Sequence, residues 1–192
     1  MGTGIYTVQL DPRLCPSPLC GGYWVALANG ARTRCADGIR RARCYAAKAV
    51  DEHRDPLETA IAEGALVRAE LESSEYEGIG PLGVVAVAAV YEPAGRATVT
   101  GGYYRVVDTR VRCVRAPCFS YRVTQLNGRT RTTTSDVDLG TAGATRAEVA
   151  RALKALRTKN GLFARGRFTR EADGGRSFRT SRLFLRVPPP RA

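Results

Sequence analysis

Short stretches of alternating apolar and polar residues, punctuated by Gly, Pro and Asn-Gly, run through most of the chain and predict strands. Ile5 to Leu10 and Tyr103 to Val107 read as extended segments. Tyr23 to Ala28 and Tyr121 to Leu126 read as strands closed by Asn29-Gly30 and Asn127-Gly128, the pair that type I′ hairpin turns favour. Their returning strands are Thr33 to Cys35 with Cys44 to Val50, and Arg129 to Ser135. Two segments change to a helical period. Asp55-Pro56-Leu57-Glu58 offers an N-cap, a proline at the first helical position and a stripe of Leu57, Ala60 and Ile61. Thr145-x-x-Glu148 is a capping box ahead of Val149, Ala152, Leu153 and Leu156, with a stop at Asn160-Gly161. Each helix leads into a hairpin: Ala65 to Glu77 with Val84 to Tyr91, and Leu162 to Glu171 with Ser177 to Val187.

This order of elements occurs twice because the sequence itself repeats. Asp11-Pro-Arg13-Leu-Cys15 through Cys20, Tyr23 and Asn29-Gly30 returns as Asp108-Thr-Arg110 through Cys113, Cys118, Tyr121 and Asn127-Gly128, with identical spacing from the first cysteine onward. The pattern predicts an α+β protein of two tandem copies, each a small antiparallel sheet with one helix packed on it, related by a pseudo-twofold axis. The first module covers 1–97, the second 98–187, and 188–192 is an extended tail. No apolar run reaches the 18 residues of a membrane span, the longest candidate being Leu82 to Tyr91.

Six cysteines, four of them in repeated Cys-x4-Cys pairs, have spacings unlike the common zinc motifs, and the second copy would own only two ligands. Three local disulfides are the simplest pairing: Cys15 with Cys20, Cys35 with Cys44, and Cys113 with Cys118. Stable bridges imply an oxidising compartment, so the expected location is extracytoplasmic. The start, Met1-Gly-Thr-Gly-Ile-Tyr, shows neither part of a secretion leader, and the expectation is that a leader is absent from this chain.

The formal net charge is +12, carried unevenly: 10 Lys+Arg face 12 Asp+Glu up to Ala97, and 20 face 6 beyond it. An excess of Arg over Lys is as easily a coding bias as a selection for phosphate, so nucleic acid is not the expected partner. Arg165, Arg167, Arg170, Arg179, Arg182 and Arg186 form a candidate basic patch for an anionic polymer or surface. Catalytic material is sparse. His53 is the one histidine and lies in a charged run without a counterpart in the second copy, and no nucleophile elbow or phosphate loop is present. The reading is therefore no enzyme, no cofactor and no metal.

Rigid loops are the better interaction candidates. Pro16 and Pro18 stiffen the first Cys-x4-Cys loop, and Arg115, Ala116 and Pro117 occupy the second. Arg115 gives that loop the look of a bait for trypsin-like proteases. Tyr23, Trp24, Tyr45, Tyr103, Tyr104 and Tyr121 form either an aromatic strip or core-edge packing, and packing is the preferred reading.

The run Asp-x-Arg-x-Cys-x-x-Pro-x-Cys-Gly-Gly-Tyr from Asp11, continued by Cys35-Ala-Asp-Gly and Cys44-Tyr45, resembles a family of predicted secreted bacterial proteins catalogued only as a domain of unknown function. The resemblance spans essentially the whole chain. It implies an extracytoplasmic location, often as lipoproteins, and supplies no activity, cofactor or catalytic residue. The expected function is a non-enzymatic extracytoplasmic binding or structural protein whose partner is an unknown protein or an anionic surface. A protease inhibitor acting through Arg115, or an anionic-polymer binder acting through the basic module, is the alternative.

Overall fold

A computed structural model describes residues 3–57 and 61–187. It divides into two units, Met1–Glu92 with Arg186–Ala192, and Pro93–Leu185. In the first, β1 (Gly4–Leu10) pairs antiparallel with β2 (Tyr23–Leu27), and β2 with β5 (Cys44–Val50). Strand β5 then runs parallel to β7 (Gly80–Ala94), β7 pairs antiparallel with β6 (Leu66–Tyr76), and β6 returns to β1. The ring closes on itself. Strands β3 (Thr33–Arg34) and β4 (Arg40–Arg41) form a separate two-stranded hairpin on the β2–β5 connection.

The second unit closes by the same order. Strand β8 (Gly102–Asp108) pairs with β9 (Tyr121–Gln125), which pairs with β10 (Arg131–Thr134). After Ser135 the chain continues as β11 (Asp136–Asp138), parallel to β13 (Arg176–Arg186). Strand β12 (Leu162–Arg170) joins β13 to β8. With β10 and β11 counted as one interrupted strand, each ring is a five-stranded Greek-key barrel with the strand order of the OB type, third and fifth strands parallel.

These closed rings correct the expected architecture of two small sheets, each carrying a helix. One α-helix is present among the described residues, α1 (Arg146–Leu156), where Thr145 and Glu148 form the capping box and Ala152 and Leu156 are buried. Leu153 is not in its buried stripe but exposed. Residues 55–57 and 61–64 are not helical, and 58–60 lie outside the described residues. Their local signature lost to a turn: the Asp51 carboxylate accepts the N–H of both His53 and Asp55, while Pro56 bridges Val50 and the Leu57 N–H bonds to Ala49 O. The type I′ reading also fails, since Asn29 and Asn127 have positive φ but Gly30 and Gly128 do not.

Alternation sets the core. In the first unit Val8, Val25, Ala46, Val67 and Val85 point inward at 0–1% exposure, together with the Cys35–Cys44 bridge. In the second, Val106, Val123, Leu162, Leu183 and Phe178 fill the barrel, with Ala152 and Leu156 of α1 packed against them. Phe178 meets Tyr104 edge-on at 5.2 Å. Burying such a side chain contributes about 1.5–3 kcal/mol.

Candidate functional site

The loop between β1 and β2 is organised by Asp11, whose side chain is fully shielded. Arg13 donates from Nε at 2.9 and 3.0 Å and from Nη2 at 2.8 Å to the two carboxylate oxygens, and Trp24 Nε1 donates at 3.2 Å. Hydrogen bonding from Arg13 outweighs burial and holds the carboxyl down at about 2. Arg13 Nη2 also donates to Leu19 O, fastening the loop that Cys15–Cys20 closes.

Trp24 stands opposite Tyr45 in the β2–β5 ladder, on the outer face of the barrel. Their rings are 5.4 Å apart, Tyr45 Oη donates to Pro18 O, and the Arg13 guanidinium lies 5.2 Å from each ring. Arg43 packs on Trp24 at 4.7 Å. Gln9, Leu10, Asp11, Arg13, Trp24, Arg43 and Glu63 line a cleft of about 330 Å³ here.

The loop between β8 and β9 has one more residue between its aspartate and first cysteine, which shifts the aspartate along the ladder. Asp108 faces Tyr121, whereas Leu10, not Asp11, faces Tyr23. Asp108 accepts the Arg110 N–H at 2.7 Å, and this bond lowers its pKa against the opposing effect of burial. Arg122 occupies the ladder position of Trp24, so the aromatic cluster of the first unit has no equivalent. A cleft of about 670 Å³ opens instead beside the Cys113–Cys118 bridge, bounded by Ala116 to Cys118, β11 and the β12–β13 turn. Asp136, Asp138, Glu171 and Asp173 line it with Arg179. Three of these acids serve the local structure: Asp136 accepts from Ser177 Oγ, Asp138 from the N–H of Gly140 and Thr141, and Asp173 from the N–H of Gly175.

A family model for a domain of unknown function, DUF6748, matches residues 4–190. The chain belongs to that family. No curated protein and no solved structure matches it. The DUF6748 match carries a family but no activity, source or compartment.

All three expected disulfides are present in this DUF6748 chain, with Cα–Cα separations of 5.6, 5.3 and 5.5 Å. Pro16 is exposed and Pro18 half-buried; Arg115 and Ala116 are exposed, and Pro117 is half-buried against the second cleft. The candidate basic patch divides by role. Arg165 Nε donates to Gly101 O and its guanidinium packs on Tyr103, while Arg182 donates to Gly95 O, so both brace the 95–103 segment. Arg167 and Arg179 face each other across β12 and β13, and Arg170 faces Arg176. Arg186 ends β13 and falls in the first unit.

Tyr23, Tyr104 and Tyr121 pack against the barrel interiors, while Trp24 and Tyr45 point outward. The joint action of Asp11, Arg13, Trp24, Arg43 and Tyr45 escaped the sequence reading. Its signal was the parity of Trp24 against Val25 and of Tyr45 against Cys44, which places both aromatics off the core face. His53 is exposed beside Glu52. Among the described residues no group of three or more His, Cys, Asp or Glu is placed to hold a metal ion, and no helix is long and apolar enough to cross a membrane.

Proposed function

We propose that this protein is a non-enzymatic, extracytoplasmic binding protein whose ligand contacts lie at its two disulfide-closed loops and the clefts beside them. One observation carries the reading: in each five-stranded ring, the connection between first and second strands is closed by a disulfide and borders a cleft. A loop fixed in this way loses little conformational entropy when a ligand orders against it. Three bridges and no thiol left over favour an oxidising compartment. Neither cleft is lined by a free thiol to act as a nucleophile or by a histidine to activate one. The shared ring order and loop position also support descent of both units from one ancestral module. Binding of an anionic polymer through the full basic patch is less well supported, because Arg165 and Arg182 already serve backbone carbonyls. Inhibition through Arg115 is weakened because Ala116 and Pro117, the residues that follow it, border the second cleft rather than continue a free extended bait.

The test is amide NMR of the oxidised chain titrated with a defined panel of oligosaccharides, single-stranded oligonucleotides and unstructured peptides. Saturable shifts confined to 9–24 with 43–45, or to 116–120 with 135–138 and 171–179, are expected. Chemical turnover of a panel compound, or shifts only elsewhere, would overturn the reading.

A further inference from the structure

Ten large apolar side chains are exposed among the described residues, and six of them sit on the two cysteine loops or their approaches: Leu10, Leu14 and Leu19 in the first, Val111, Val114 and Phe119 in the second. Isolated exposed apolar residues are ordinary, but concentration on rigid projections marks an interaction surface. The second loop adds charge of one sign. Arg110, Arg112 and Arg115 alternate with the apolar residues and all three are exposed; Arg112 pairs with Asp108 at 3.4 Å and donates to Val111 O, Arg110 donates to Arg157 O, and Arg115 stands within the closed loop. We infer that Val111, Val114 and Phe119, with Arg110, Arg112 and Arg115, dock this protein on an anionic lipid surface. The inference rests on the binding-protein reading and names the partner of its second loop.

The mechanics follow from how the loop is held. Cys113–Cys118 closes it, the Thr109 N–H bonds to Ser120 O at 2.8 Å, and Asp108 accepts the Arg110 N–H, so the apex is presented without an ordering cost. Val114 is 102% exposed, as open as in an extended chain. Small apolar side chains enter the boundary between headgroups and acyl chains while guanidinium groups meet the phosphates. A protein partner fits less well, since hot spots at protein interfaces favour Trp, Tyr and Arg over Val and pair charges of both signs. The acids of the second cleft meet the loop at Ala116 to Ser120, beyond the arginines of residues 110–115. In the first loop Leu14 is as exposed as Val114, but its one arginine, Arg13, is held by Asp11 at 2.8 Å and by Leu19 O, so that tip has no counterpart of Arg115.

Co-sedimentation of the full oxidised chain with vesicles tests this, using phosphatidylcholine alone and phosphatidylcholine mixed in equal parts with phosphatidylglycerol. Binding is expected to the mixed vesicles, much less to the neutral ones, and to weaken with salt. Val114→Gln, which leaves the charge unchanged, is expected to lower affinity about tenfold. Arg115→Gln is expected to lower it about fivefold. Leu153→Gln, a change of an exposed apolar residue on α1, serves as the control and is expected to bind as the parent does. The inference is overturned by equal binding to both vesicles, by no binding to either, or by Val114→Gln sedimenting like the parent, which would indicate charge attraction alone. If it fails while the amide shifts at the clefts persist, only the lipid partner is wrong; if those are lost too, the binding-protein reading falls with it.

Discussion

Asp11 accepts from the side chains of both Arg13 and Trp24, and its ionisation gives a sharp expectation. The folded-state pKa of about 2, set chiefly by the Arg13 hydrogen bonds, lies below the ordinary aspartate value of about 3.9. A depressed carboxyl stabilises the fold above its unfolded pKa, and that contribution disappears as pH falls through the folded pKa. Urea unfolding of the parent and of Asp11→Asn is therefore expected to show the parent more stable at neutral pH, with the gap closing between about pH 4 and pH 2. A gap independent of pH would mean that Asp11 acts through shape rather than charge. Asp11 and Arg13 were visible in the sequence as a repeated motif. Their use of Trp24 was not, because that contact needs the β1–β2 register. The motif match also misled: one extra residue before Cys113 moves Asp108 along the strand, and Thr109, whose N–H bonds to Ser120 O, takes the backbone position that Asp11 holds opposite Gly22.

At the scale of elements, two segments carried similar helix-start signals and only one became a helix among the described residues. Thr145 Oγ1 accepts the Glu148 N–H while Glu148 accepts the Thr145 N–H, and eleven residues with an inward stripe follow. Removing the cap by Thr145→Ala is expected to cost about 1 kcal/mol, read as a lower urea midpoint with unchanged slope. The earlier signal at Asp55-Pro56 had only three apolar positions behind it, and the Asp51 carboxylate captured the N–H groups of the preceding turn. Strands β6, β12 and β13 were legible to about one residue at each end, since β6 and β12 begin just after Gly64 and Gly161, both in left-handed backbone that glycine tolerates, whereas β7 runs Gly80–Ala94, well beyond the expected Val84 to Tyr91. The short β3–β4 hairpin was not legible: of the two segments expected to return beside β2, Cys44 to Val50 pairs there, while Thr33 and Arg34 pair with Arg40 and Arg41 instead.

For the molecule as a whole, covalent pairing was more legible than topology. Each Cys-x4-Cys is local, so spacing alone singles out its partner. Barrel closure depends on β5 beside β7 and β11 beside β13, parallel contacts between segments far apart in sequence that no local pattern encodes. The compartment proposal makes its own expectation at this scale: alkylation of the protein in its native cells before extraction should label none of its six cysteines, and all six after reduction. Labelling without reductant would place the chain in a reducing environment. The single tryptophan adds a practical consequence, since Trp24 stands at the mouth of the first cleft with Arg43 against its ring. Its emission is an intrinsic optical gauge of that one locality, unmixed with any other indole, so whatever displaces Arg43 or enters beside it can be followed in real time on unlabelled protein.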